Sequence, residues 1–272
     1  MPSILLGTRR VAYSKVGSGP PVMLVHGSFA TSSAWRKVVA YLDTEKISVV
    51  AIDLPGCGES DPAPLDSSTL LALEAAAVEA VLKEESSVEP VRLVGHSHGG
   101  TIALAVALRG HSRISSLILF EPLPLTFLAD MGDAETVDKM ISFVTDYQQA
   151  FLGGDPWAVR RVIDLWAGAG SFEAMPSKVR ESMAISTAQN ICQWESNLAF
   201  HPLIDSYRSL RIPTTLVCGE RSNPISRLIS QRLHELLPES DLIEISAASH
   251  FMIHTHASEC AKLIGPTLLS SG

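Results

Sequence analysis

The sequence predicts an α/β fold, with a mostly parallel sheet, helices on both of its faces and a helical insertion between two strands. Short apolar runs alternate with amphipathic helical segments along most of the 272 residues, and this alternation is typical of strand–helix–strand units. The runs are continuously apolar, as expected of strands that are covered on both faces. The strand pattern stops between Pro122 and Tyr207, where the pattern is helical.

The part of the chain before the insertion supplies most of the predicted sheet. Turn-forming residues separate its elements, most clearly at Gly17-Ser18-Gly19-Pro20. The predicted strands are 9–16, 21–26, 48–54, 91–94 and 115–120, and the predicted helices are 33–42, 68–85 and 101–108.

Strands resume after the insertion, at 214–218 and 242–245, with helices at 224–237 and 257–269. This predicts a core built from residues 1–122 and 208–272 and a helical lid at 123–207. The lid contains three of the four tryptophans, so we expect it to form an apolar roof over a pocket.

Composition indicates which partners and which cellular compartment are expected for the protein. A net charge of −8 disfavours nucleic acid and anionic membranes as partners, because their phosphates would be repelled. The four cysteines are scattered, without metal-ligand spacing, and are expected to be packing thiols in a reducing compartment. Neither a leader nor a membrane-spanning apolar run is visible, so a cytoplasmic protein without metal or cofactor is expected.

The strongest chemical signal is Gly95-His96-Ser97-His98-Gly99, which follows an apolar strand and precedes an alanine-rich helix. A G-x-S-x-G pattern in this context forms a tight turn that exposes the serine hydroxyl at the carboxyl end of the strand. The helix directs backbone N–H groups at the same point. Ser97 is therefore the predicted nucleophile, and the alternative is a glycine-rich turn with a surface serine.

A serine needs a base to remove its proton, and His250 is the predicted base among nine histidines. It follows the strand at 242–245, so it lies at the same edge of a parallel sheet as Ser97. His96 and His98 are too close to Ser97 along the chain to reach its hydroxyl well. The remaining candidates are expected to lie at the surface or to serve packing: His111, His201, His234, His254 and His256.

The motifs together resemble the α/β-hydrolase superfamily. They comprise His26-Gly27, the segment Asp53-Leu54-Pro55-Gly56-Cys57-Gly58-Glu59-Ser60, the turn around Ser97 and a late histidine. The resemblance implies an eight-stranded sheet and a Ser–acid–His triad in that chain order. It also implies an oxyanion hole made by the backbone N–H groups of Ser28 and His98. We interpret Asp53, Gly56 and Gly58 as structural residues of a supporting loop.

The acid departs from the usual pattern of that superfamily, which places an aspartate after the strand that follows the lid. That stretch reads Gly219-Glu220-Arg221-Ser222 here, and Ser222 cannot carry the charge. Glu121 follows the strand next to the nucleophile, and Glu121-Pro122-Leu123-Pro124 is similar to the Glu-Leu-Pro of a zearalenone-type lactonase subgroup. Glu121 is the predicted acid, with Glu220 or Asp205 as alternatives.

These residues predict a serine hydrolase that cleaves an ester or lactone of a small hydrophobic substrate through an acyl-enzyme on Ser97. Serine in place of aspartate argues against haloalkane dehalogenase and epoxide hydrolase chemistry. The same triad also serves hydrolysis of C–C, thioester or amide bonds and perhydrolysis. A low-turnover ligand-binding receptor and a catalytically inactive member are further alternatives, since fold alone does not decide function.

Overall fold

A single eight-stranded sheet forms the centre of the protein in the computed structural model, which describes residues 1–85, 89–110 and 113–266. The strands are β1 (Ser3–Leu6), β2 (Arg9–Gly17), β3 (Pro21–Val25), β4 (Ser48–Ile52), β5 (Val91–His96), β6 (Ile114–Phe120), β7 (Thr214–Gly219) and β8 (Ser240–Ile245). Their order in the sheet is β1-β2-β4-β3-β5-β6-β7-β8. Strands β3 to β8 are parallel, whereas β1 and β2 pair antiparallel. The predicted fold class is confirmed.

Helices cover both faces of this sheet. They are α1 (Arg36–Val39), α2 (Ser67–Glu85), α3 (His98–Leu108), α4 (Phe127–Asp130), α5 (Ala134–Leu152), α6 (Arg160–Ala167), α7 (Ser177–Ile185), α8 (Thr187–Ala199), α9 (Ile204–Ser209), α10 (Pro224–Leu236), α11 (Met252–Thr255) and α12 (Ala257–Ile264). A short 3₁₀ turn at Ser32–Trp35 precedes α1. Helices α4 to α9 all lie between β6 and β7, as the loss of strand pattern predicted.

Two apolar clusters hold the layers together, one on each face of the sheet. One joins α1, α11 and α12 to the sheet around Trp35 and Met252. The other joins α2, α3 and α10 to the sheet and continues into the insertion through Met140 and Tyr207. Because this cluster is continuous, and α9 crosses the predicted boundary at residue 207, the division into core and lid stays a prediction.

The observed elements differ from the predicted ones where the local pattern is short. Strand β1 was not predicted, because its four residues carry only two half-buried apolar side chains, Ile4 and Leu6. The predicted helix 33–42 is a 3₁₀ turn followed by one α-helical turn. The last helix ends at Ile264, since Pro266 disfavours helical conformation in the residue before it. Residues His111 and Leu269 lie outside the described residues.

The turn between β5 and α3 is tight. Ser97 has φ 56° and ψ −125°, a conformation that L-residues adopt only under constraint. A Cβ on Gly95 would lie 2.4 Å from the carbonyl oxygen of Gly99, and one on Gly99 would lie 2.3 Å from that of His26. Both positions therefore require glycine, and this contact brings the loop after β3 against the start of α3.

Within the described ranges, no helix has both the length and the apolar composition needed to cross a bilayer. The four cysteines are unpaired, and three of them are buried: Cys192, Cys218 and Cys260.

Candidate active site

Three side chains from three strand ends form a hydrogen-bonded row at the carboxyl edge of the sheet. His250 Nδ1 lies 2.7 Å from Glu121 Oε2, and His250 Nε2 lies 3.0 Å from Ser97 Oγ. Because the carboxylate can only accept, His250 donates from Nδ1 and leaves Nε2 free to accept from the serine hydroxyl. All three residues are buried. This is the arrangement that general-base activation of a serine requires, and the catalytic roles themselves stay predictions.

Glu121 is held as a carboxylate by its hydrogen bonds. Its Oε1 accepts from the backbone N–H of Gly219 at 2.9 Å, so each oxygen has a donor. Burial opposes ionisation, but the contacts with His250 and with Gly219 together outweigh it and hold the pKa of Glu121 below its ordinary value. The residue also has a positive φ of 46°, a strained conformation of the kind that accumulates at functional sites.

The alternative acids lie elsewhere. Glu220 is exposed, and its Oε2 accepts from the backbone N–H of Ala247 at 2.6 Å and from the hydroxyl of Ser246 at 3.0 Å. Asp205 is exposed and pairs with Arg208 at 3.3 Å. Neither carboxylate contacts His250.

Two backbone N–H groups are free beside the serine. In the described part of the chain, the N–H groups of Ser28 and His98 donate to no protein acceptor. Ser28 lines the same cavity as Ser97, because a Cβ on the preceding Gly27 would lie only 3.0 Å from the Cβ of Ser97. His98 is the first residue of α3, whose dipole favours negative charge at this end. These donors suit an oxyanion.

The supporting loop has the structural role that the sequence suggested. Asp53 Oδ1 accepts from the N–H of Ser32 at 2.7 Å, and its Oδ2 accepts from the N–H of Glu59 at 2.9 Å. Buried His26 accepts from the N–H of Leu54 at 3.1 Å. These hydrogen bonds thus join the loop after β3 to the loop after β4.

A family model described as alpha/beta hydrolase fold matches residues 20–257, which is most of the chain. The chain belongs to the α/β-hydrolase family. The superfamily resemblance and the predicted enzyme class, a hydrolase of this family, are thereby confirmed.

Related proteins align with this hydrolase over nearly all of its length. A pimeloyl-[acyl-carrier protein] methyl ester esterase of Pseudoalteromonas atlantica is 38% identical over 250 residues, which cover 88% of the hydrolase and 92% of that protein. The polyketide synthase ThaQ of Burkholderia thailandensis is 27% identical over 270 residues, which cover 95% of the hydrolase but only 12% of that much longer protein.

Solved structures share the fold. The enol-lactonase from Burkholderia xenovorans LB400 superposes with a TM-score of 0.73 at 17% identity, over 97% of the hydrolase and 98% of that chain. MGS-M2, an α/β hydrolase from a deep-sea metagenome library, superposes with a TM-score of 0.78 at 14% identity, over 97% and 95% of the two chains.

The hydrolase places the imidazole of His250 in an aromatic stack. The ring of Trp166 in α6 lies nearly parallel to it, with centroids 4.9 Å apart at 24°, and Trp194 in α8 stacks on Trp166 at 5.9 Å and 3°. On another side of the imidazole, the centroid of the His96 ring lies 5.0 Å from that of the His250 ring. The sequence indicated an apolar roof but not these contacts, because no motif or period links residues so far apart along the chain.

His96 also forms a hydrogen bond with the backbone of His250. Its Nε2–H donates to the backbone carbonyl of His250 at 2.8 Å. Burial, together with the neighbouring His250, lowers the pKa of His96 to about 3. The ring is therefore neutral, and it fixes the loop that carries His250.

This buried neutral ring makes folding sensitive to acid. Unfolded His96 binds a proton near pH 6.5, whereas the folded form does not until about pH 3. The unfolded state therefore binds more protons in that window, and His96 should cost about 2 kcal/mol of stability between pH 6.5 and pH 5. Urea unfolding of His96→Asn should show a pH dependence flatter by about one proton. The exposed His234→Asn variant should keep the wild-type slope, and equal slopes in all three proteins would contradict the assignment.

A second buried network connects the start of α3 to α2 and α8. His98 Nε2 lies 2.7 Å from Glu74 Oε2, and His98 Nδ1 lies 3.2 Å from Asn197 Oδ1. Gln193 Nε2 donates to Glu74 Oε1 at 3.3 Å. All four residues are at least 97% buried. No sequence pattern indicated this network, since Glu74 falls within an ordinary helical stripe.

Ser97 and His250 line a cavity of about 720 Å³, including its open mouth. Ser97 and His250 form its floor, and the insertion supplies an apolar wall of Val162, Ile163, Trp166, Met183 and Trp194. Among the described residues, no group of three or more His, Cys, Asp or Glu side chains could hold a metal ion.

Proposed function

We propose that this hydrolase cleaves a carboxylic ester or lactone of a small hydrophobic substrate through an acyl-enzyme on Ser97. The observation that carries the proposal is the row in which His250 lies between Ser97 Oγ and the Glu121 carboxylate, at 3.0 Å and 2.7 Å. The esterase from Pseudoalteromonas atlantica, 38% identical, supports ester hydrolysis as the reaction. The apolar cavity wall supports a hydrophobic substrate.

The row accounts for each proton transfer in such a reaction. Ser97 Oγ attacks the carbonyl carbon while its proton moves to His250 Nε2, and Glu121 stabilises the imidazolium that forms. The tetrahedral oxyanion accepts from the N–H groups of Ser28 and His98. Collapse breaks the bond to the alcohol oxygen, which takes the proton from His250. Water then attacks the acyl-enzyme by the same route, and Ser97 regains its proton as the acid leaves.

The experiment that tests the proposal detects the covalent intermediate. The protein is mixed with p-nitrophenyl hexanoate, quenched in acid within one turnover and analysed by intact mass and peptide mapping. We expect a mass increase of one hexanoyl group in place of one hydrogen, confined to the peptide that contains Ser97. Acylation of another residue, or turnover without an adduct in rapid-quench samples, would contradict the acyl-enzyme.

A fluorophosphonate probe separates the remaining alternatives. Rapid labelling of Ser97 together with steady turnover of the ester is the result expected of an enzyme. Labelling with one release of p-nitrophenol and no further turnover would instead indicate a receptor on this scaffold. Absence of labelling would indicate an inactive member of the family. Turnover of a thioester or a C–C substrate in preference to the ester would contradict the proposed substrate class.

A further inference from the structure

One face of α8 presents two buried amides to the cavity. Asn190, Trp194 and Asn197 all line it, and their spacing of four and then three residues puts them on one side of the helix. Asn190 and Asn197 are each only 2% exposed. Burying a polar side chain without a hydrogen-bond partner is costly, so the contacts of each amide show what it is left to bind.

The oxygen of Asn190 is already occupied. Tyr147 donates its phenol O–H to Asn190 Oδ1 at 3.1 Å. Tyr147 is fully buried, and burial raises its pKa, so the phenol keeps the proton that it donates. Among the described residues, Asn190 Nδ2 has no hydrogen-bond partner. The amide N–H₂ therefore faces the cavity with its hydrogens free.

The oxygen of Asn197 is occupied in the same way by a different partner. The two ring nitrogens of His98 face two oxygens, Glu74 Oε2 and Asn197 Oδ1, at 2.7 Å and 3.2 Å. Because an amide oxygen accepts and does not donate, His98 donates from Nδ1 to Asn197 Oδ1, while Nε2 shares a hydrogen with Glu74 Oε2. Asn197 Nδ2 likewise has no partner in the described part of the chain.

We propose that Asn190 and Asn197 bind a hydrogen-bond acceptor of the substrate that lies away from the scissile carbonyl. The acceptor is a neutral carbonyl, such as an oxo group or a second ester, because no lysine or arginine lines the cavity among the described residues. The proposal rests on the proposed function, and it narrows the substrate class to oxo-esters, diesters and similar lactones. A plain alkyl ester would leave both amides unpaired against apolar surface.

The test compares esters that differ in one carbonyl group. Methyl hexanoate is compared with methyl 4-oxohexanoate and methyl 5-oxohexanoate, and butyl acetate with 3-oxobutyl acetate. Each kcat/KM is divided by the rate of alkaline hydrolysis to remove inductive effects. We expect the wild type to prefer at least one oxo-ester over its alkyl partner by about tenfold, as a well-placed hydrogen bond allows.

Matched variants assign that preference to the amides. Asn190→Leu and Asn197→Leu nearly preserve side-chain volume and should each reduce the ratio, and the double variant should bring it to about one. Met183→Leu changes the cavity wall without removing an amide and should leave the ratio at its wild-type value. A wild-type ratio near one for every pair, or a ratio that survives the double substitution, would overturn the proposal.

Binding without turnover separates this proposal from the proposed function. Ser97→Ala is titrated with methyl hexanoate and with the preferred oxo-ester, and quenching of tryptophan emission gives the two Kd values. The oxo-ester is expected to bind about tenfold more tightly. If the wild type hydrolyses neither ester and this preference is still found, ester hydrolysis is wrong and the amide subsite stands. If it hydrolyses both esters at equal rates and the two Kd values are equal, the amide subsite is wrong and ester hydrolysis stands.

Discussion

Replacing Ser97 by alanine is expected to lower kcat for ester hydrolysis by about 10⁶-fold, because among the described residues Ser97 carries the hydroxyl that is hydrogen-bonded to His250 Nε2. His250 Nε2 lies 3.0 Å from Ser97 Oγ, and removal of that oxygen leaves the base without a proton to accept. The N–H groups of Ser28 and His98 remain, so some rate above the uncatalysed reaction should persist. Long incubations with p-nitrophenyl hexanoate would measure this residual rate.

The control for Ser97→Ala is a serine of similar burial outside the site. Ser226 in α10 is fully buried and donates to the carbonyl of Asn223 at 2.9 Å. Ser226→Ala is expected to lose some stability while keeping kcat within about threefold, since it contacts none of the reacting groups. A residual rate in Ser97→Ala within a hundredfold of wild type would contradict Ser97 as the nucleophile.

Replacing Glu121 by glutamine is expected to lower kcat by about 10⁴-fold with little change in KM. The glutamine has the same shape but only one acceptor oxygen, whereas both His250 Nδ1–H and the N–H of Gly219 need one. An amide N–H₂ turned towards His250 would favour the wrong tautomer and would leave the imidazolium unstabilised. Steady-state kinetics over a range of pH would measure the loss.

Two further variants make this assignment specific. Glu220→Gln alters the exposed carboxylate that binds the backbone N–H of Ala247 and is expected to keep kcat within a few-fold. Ser222 is buried on the turn after β7, with its N–H bonded to the carbonyl of Gly219. Its side chain lies against the Glu121 carboxylate, so Ser222→Asp in the Glu121→Gln background should restore part of the activity. Equal kcat values for Glu121→Gln and Glu220→Gln would contradict Glu121 as the acid.

The sequence was sufficient to predict those site residues that follow a strand. Ser97 and Glu121 follow mostly buried parallel strands, His250 follows the parallel edge strand β8, and the carboxyl ends of such strands meet at one edge of the sheet. The apolar runs that define those strands are long enough to detect. The short antiparallel strand β1 was not detectable, because its few half-buried residues resemble an exposed turn.

The contacts around the row were not predictable from sequence. Trp166 and Asn197 reach the site from α6 and α8, whose placement depends on the packing of the whole insertion, and the His98 side chain meets Asn197 only where α8 packs on α3. A buried glutamate such as Glu74 has no signature in its residue type, although its spacing of four residues from Leu70 and from Val78 places it on the buried face of α2. Only the fold shows that it faces His98.

The buried pair of Glu74 and His98 also fixes the position of α8. Pulling α8 from the sheet would break the hydrogen bonds of His98 with Asn197 and of Gln193 with Glu74, and each buried polar group left unpaired costs about 1–3 kcal/mol. Helix α7 has no buried residue, and α6 ends at Gly168 with a positive φ of 98°. Buried polar contacts thus hold α8 against α2 and α3, whereas α7 contributes no buried side chain.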